Sequence, residues 1–128
     1  GHHHGDRLKN MDKFTVCLPL SNEYLTTVRL TTGGICALAE FDVDAAEDFK
    51  VCVTESLLIL KRNGFGAAKI EFGVGETLSC AVFGQGERGE AEGGPDAEIS
   101  YALLDALLGN AEFSRDGDGV VCGISFGA

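Results

Sequence analysis

Residues 44–64, D-A-A-E-D-F-K-V-C-V-T-E-S-L-L-I-L-K-R-N-G, constrain this chain more than any other stretch. They form its longest uninterrupted helical pattern, and both ends carry their own signals. Asp42 or Asp44 can cap the start, and Glu47 and Asp48 follow in the first turns, where the helix dipole favours acids. Lys61 and Arg62 occupy the last turn, and Asn63-Gly64 supplies the stop. At about 100° per residue, Ala45, Phe49, Cys52, Val53, Ser56, Leu57, Ile59 and Leu60 share one broad face. A helix that apolar must be covered by other elements. Lys50, Thr54 and Lys61 are expected to point away, while Val51 and Leu58 hint at a second contact surface on the polar side.

The flanking segments show what could cover it. Residues 14–18 (F-T-V-C-L) read as a strand that stops at Pro19. Ser21 or Asn22 can cap a helix over 23–40, with Leu25, Val28, Ile35 and Leu38 near helical spacing. Its threonines and the Gly33-Gly34 pair make it weak by propensity, the two glycines by about 2 kcal/mol relative to alanines. The pair is also expected to admit another backbone. Residues 67–74 alternate, with Ile70 and Phe72 on one side and Lys69 and Glu71 on the other, and Gly75-Glu76 turns them into a strand over 77–83. Residues 84–96 (G-Q-G-E-R-G-E-A-E-G-G-P-D) have too little apolar surface to order strongly and predict a mobile loop. Pro95-Asp96 opens a third helix over 97–108, with a stripe of Ile99, Leu103, Leu104 and Leu107. A last hairpin comprises 111–114, a turn over 115–119, and 120–126.

The order β-α-α-β-β-loop-α-β-β predicts an α+β two-layer sandwich, a mixed and mainly antiparallel sheet with three helices on one face. Its 128 residues suit one domain. Residues 1–10, with three consecutive histidines, read as an expression remnant, leaving 11–128 as a single domain starting at Met11.

Composition removes several function classes. A net charge of −10, from 20 acidic against 10 basic residues, argues against nucleic acid. It would suit a basic protein partner. No apolar run approaches the roughly 18 residues of a membrane span, so a cytoplasmic location is expected. Cys17, Cys36, Cys52, Cys80 and Cys122 form no C-x-x-C pair, which predicts reduced thiols, with those in strand-like runs buried. Histidine occurs only in the tag-like segment, so Ser-His-Asp and Cys-His catalysis are excluded.

Three places could carry chemistry. Glu55, at the edge of the long helix's apolar face, is a candidate general base. A carboxamide four residues on could hold Mg²⁺, but Ile59 stands there and offers no ligand. The glycine-rich loop could cradle phosphates, yet it has no G-x-x-x-x-G-K-S/T, and Glu87, Glu90, Glu92 and Asp96 outweigh Arg88. Asp116-Gly117-Asp118-Gly119 resembles the start of a calcium loop without the later ligands, and reads as a hairpin turn.

The entry L-P-L-S-N-E-Y-L-T-T-V-R (18–29), the D-F-K-V-C-V-T-E helix (48–55), the hairpin, the glycine-rich loop and the closing helix with hairpin together resemble the bacterial anti-sigma-factor serine kinases. These belong to the GHKL group with the Bergerat, or histidine-kinase-like ATPase, fold. The resemblance covers nearly all of 14–126. It implies an E-x-x-x-N pair of catalytic base and Mg²⁺ ligand, of which Glu55 matches the first and Ile59 replaces the second. It implies a D-x-G box reading adenine, where Gly84-Gln85-Gly86 keeps only the last glycine, making Gly86 the remnant cofactor-binding position. It also implies a phosphate-gripping G-x-G at the last helix, where Ile99-Ser100-Tyr101 or Gly94-Pro95-Asp96 stands. The family's cofactors are ATP and Mg²⁺. Its partners are sigma factors and STAS-domain antagonists, and its members form homodimers through the first strand and helix. With these losses the expectation is a protein-binding regulator with a degraded ATP site, no bound metal and no catalysis. The alternative is an active ATP-dependent serine/threonine kinase acting on a STAS partner. A stand-alone domain with another ligand or an assembly role is a third possibility.

Overall fold

The computed structural model describes residues 12–90 and 95–128. The tag-like segment 1–10, the Met11 start and residues 91–94 of the glycine-rich loop lie outside these described residues. The elements are β1 (Asp12–Pro19), α1 (Asn22–Leu38), α2 (Val43–Arg62), β2 (Ala67–Val74), β3 (Leu78–Gln85), α3 (Pro95–Leu107), β4 (Glu112–Arg115) and β5 (Val121–Gly127). They occur in the expected order. The five strands form one sheet, β1-β2-β3-β5-β4, antiparallel throughout.

Strand alternation separates the two faces of the sheet. Cross-strand pairs Ile70 with Val82, Phe72 with Cys80, Val82 with Ile124 and Cys80 with Phe126 lie on the buried side. Lys69, Glu71, Ser79 and Ser125 lie on the other side, which no helix covers among the described residues. Cys17 is on that bare side and exposed, so not every strand cysteine is a core residue. Cys36, Cys52 and Cys80 are buried, Cys122 is half-buried, and all five are free thiols.

α2 is the central helix against the sheet, flanked by α1 and α3. It buries Phe49, Cys52, Val53, Ser56, Leu57, Ile59 and Leu60, whose large apolar members each contribute about 1.5–3 kcal/mol of burial. Phe49 joins the layers, with ring centroids 5.9 Å from Phe41 and 5.3 Å from Phe126. Asp42 is the N-cap and accepts from the Ala45 N–H at 2.8 Å. The expected face is correct except for Ala45, which is exposed. Lys50 does not point away: it lies against α1, its Cε 3.1 Å from where a Gly33 Cβ would be. Gly33 therefore admits a lysine side chain rather than a backbone, and a Cβ at Gly34 would meet nothing within 4 Å.

Two details of the flanking helices differ from expectation for local reasons. Ser21 occupies the α1 N-cap but its side chain makes no capping bond; its hydroxyl donates to Glu23 Oε1. Asn22 is inside the helix, its Oδ1 accepting from Lys61 Nζ at 3.0 Å. On α3, Ile99 is 55 % exposed, and the buried stripe runs through Ser100 and Leu104. The Asp116-to-Gly119 turn is a hairpin turn, as expected: Asp116 Oδ1 accepts from the N–H groups of Asp118 and Val120. Val120's donation, helped by Asp118's and by the nearby Arg88 guanidinium, holds the Asp116 carboxyl below its usual range.

Candidate functional site

Glu55, Ile59 and Arg62 lie along one face of α2 at intervals of four and three residues. That face meets α3, whose Ser100 and Leu104 are one turn apart. Ser100 is 1 % exposed. Its hydroxyl donates to Glu55 Oε1 at 2.7 Å and accepts from Arg62 Nη1 at 2.6 Å. The result is a polar chain, Arg62 to Ser100 to Glu55, with a charged group at each end. Glu55 and Arg62 are half-buried.

The position where the resemblance implies a metal ligand is dry. Ile59 is 1 % exposed and belongs to the same core as Leu57, Leu60 and Leu104. An isobutyl-sized hydrocarbon there provides no oxygen for Mg²⁺, and it excludes the water that such an ion retains. Among the described residues, no three His, Cys, Asp or Glu side chains form a metal-holding group.

The adenine-reading position is also filled. Gly84 faces the helices near the end of β3, where the resemblance expects an aspartate. A Cβ at Gly84 would lie 2.6 Å from carbons of the Phe65 ring. Phe65 is buried, and its N–H donates to Leu60 O at 3.1 Å. No side chain fits at position 84 while that ring stays. These positions do not fit an ATP–Mg²⁺ group bound in the manner the resemblance implies.

Gly86 is exposed, with φ +81°, and a Cβ there would meet nothing within 4 Å. Among the described residues no hydrogen bond joins it to Glu55, Ser100 or Arg62. The loop after β3 is instead tied to the end of α2: Gly89 N–H donates to Gly64 O at 2.8 Å. Gly64 has φ +98°, and a Cβ there would collide with the Gly89 carbonyl. Arg88 pairs at 3.6 Å with Asp116 and at 3.5 Å with Asp118, linking the loop to the last hairpin. The described part, residues 86–90, is therefore anchored at two points, in contrast to the expected mobile loop.

Sequence reasoning gave Arg62 only a helix-end role and noted Ser100 only within a motif comparison. The available signal was Ser100's spacing from Leu104, which puts a hydroxyl on an apolar stripe. A concavity of about 520 Å³ exists on the bare face of the sheet, lined by Lys13, Glu71, Ser79, Ser125 and Asn110 among others. It is on the opposite side from α2.

No protein-family model matches the chain. Two curated relatives are the serine-protein kinase RsbW of Listeria innocua and that of Listeria monocytogenes serotype 4a. Each is 32 % identical over an alignment of 127 residues, covering 82 % of this chain and 81 % of the relative. This chain belongs to the RsbW serine-protein kinase family. Among the described residues no helix is long and apolar enough to cross a membrane.

Proposed function

We propose that this member of the RsbW family is an anti-sigma-type regulator that works by binding protein, with a nucleotide site closed by its own core. The burial of Ile59 at the metal-ligand position carries this reading. Phosphoryl transfer depends on metal neutralisation of phosphate charge, and the residue facing that task is hydrocarbon. The Phe65 ring over Gly84 supports the same conclusion for the adenine end. Glu55 is the surviving half of the base–ligand pair.

A protein-binding role is supported by apolar side chains left in solvent on and beside α1. Leu30 is 75 % exposed, Leu38 73 % and Val43 77 %, with Tyr24 also exposed. A cytoplasmic sigma factor, a STAS-domain antagonist, or a second copy meeting β1 and α1 are the partners that the family relationship proposes. Calorimetric titration of the chain with Mg-ATP tests the closed site, and no heat of binding is expected. Micromolar binding abolished by Glu55→Ala or by substitution of Gly86 would overturn the reading. Retention of Glu55 in a family named for serine kinases favours the second reading, an active ATP-dependent kinase on a STAS partner, and the same titration decides between them.

A further inference from the structure

Ser100 is a polar side chain on the apolar stripe of α3, buried to 1 % exposure. Most buried hydroxyls keep hydrogen-bond partners, and both of Ser100's are charged groups of α2. The geometry toward Glu55 has a chemical meaning. A general base must stand about 2.6–3.2 Å from the hydroxyl whose proton it takes. Ser100 Oγ donates to Glu55 Oε1 at 2.7 Å, the relation an acceptor serine bears to such a base. The relatives are named as kinases of serine in proteins.

We infer that Ser100 is an internal pseudosubstrate: α3 places its own hydroxyl on Glu55 and so excludes a serine presented by any other protein. Arg62 fixes the hydroxyl from the far side, so that its hydrogen points at the carboxylate. Leu104, one turn on and fully buried, seats α3 in the core. The inference rests on the reading of Glu55 as the surviving base and names the group that occludes it. It assigns Ser100 no covalent step.

The test reads the carboxylate itself and needs neither nucleotide nor activity. The full chain is treated with a carbodiimide and a small amine, and coupling at each carboxyl is mapped by peptide mass spectrometry. Arg62→Ala, which keeps the hydroxyl, is compared with the Ser100→Ala/Arg62→Ala pair, in which no guanidinium can swing in to replace it. The paired variant should couple at Glu55 about tenfold faster or more, the scale set by one charge-assisted hydrogen bond. Exposed Glu47 serves as the internal reference. Equal rates at Glu55 in the two variants overturn the inference. If the pair does not fold, Ser100→Ala is compared with wild type under the same criterion. The two readings fail separately, because Mg-ATP binding by the wild-type chain bears on the nucleotide site and Glu55 coupling bears on its occlusion.

Discussion

Ile59→Asn restores the side chain expected of a metal ligand and places it where the core is dry. Ile59 is 1 % exposed, so the substitution removes a nearly complete burial, worth about 1.5–3 kcal/mol. It also introduces a carboxamide without a ready partner, at a further cost of about 1–3 kcal/mol. Together these give a loss of about 4 kcal/mol, a large share of the roughly 5–15 kcal/mol that holds a domain together. With a urea dependence of about 2 kcal/mol per molar, the unfolding midpoint should fall by about 2 M. Ile59→Val, which trims one methylene and adds no polar atom, should cost only about 0.5–1.5 kcal/mol. Urea titrations followed by circular dichroism measure both. A fall of less than about 0.5 M for Ile59→Asn, on the same urea scale, would mean that water already reaches position 59. A rise of the wild-type midpoint on adding Mg-ATP would refute the closed-site argument more directly, since only binding to the folded state stabilises it.

Three other perturbations probe separate parts of the structure. Gly84→Ala should lower stability by about 1–3 kcal/mol in the same titration, because its Cβ must displace the Phe65 ring; a variant as stable as wild type would show that the ring has room to move. Gly64→Ala should cost more than the about 1 kcal/mol usual for strained positive-φ positions, since the new Cβ also meets the Gly89 carbonyl, and amide exchange at Gly89 should rise with it. Burial, reinforced by the Asp48 and Glu55 carboxylates, pushes the Cys52 thiol from its ordinary 9.0 up to about 12, and burial raises Cys36 and Cys80 as well. The folded state keeps protons that the unfolded state releases, so this stabilisation is fully present below pH 9.0 and is lost as pH rises through the window toward about 12. Unfolding free energies from urea titrations at about pH 8 to about pH 10.5 should fall by up to about 1.4 kcal/mol per pH unit for each thiol, and Cys→Ala at all three positions should flatten the curve.

The architecture was legible because its signals are local. The caps of α2, the alternation in β2 and the Gly75-Glu76 turn each act over a few residues, and each holds in the structure. The misses are places where tertiary contact outweighs local pattern. Lys50 folded back over Gly33, and Cys17 took the solvent side of an edge strand. Loop residues 86–90 look structureless by composition because their anchors, the Gly64 carbonyl and the Asp116 and Asp118 carboxylates, come from distant parts of the chain.

The site was half legible for the same reason. Glu55 and the missing ligand at Ile59 lie on one helix, so helical spacing alone relates them. What closes the site comes from elsewhere: Phe65 over Gly84 requires the register of β3 against the chain that enters β2, and Ser100 on Glu55 requires α3 to pack against α2 at one particular turn. A slip of α3 by one turn would bring Leu104 to the level of Glu55, exchanging a hydroxyl donor for hydrocarbon. Leu104 could not donate to Glu55 as Ser100 does, so the Arg62–Ser100–Glu55 chain helps to fix that turn as well as to occupy the carboxylate. An apolar residue at 59 and a hydroxyl on Glu55 therefore go together in this packing. An apolar Ile59 lets α3 settle onto α2, and a settled α3 needs a hydroxyl where it covers a carboxylate, because a half-buried charge must keep a hydrogen-bond partner.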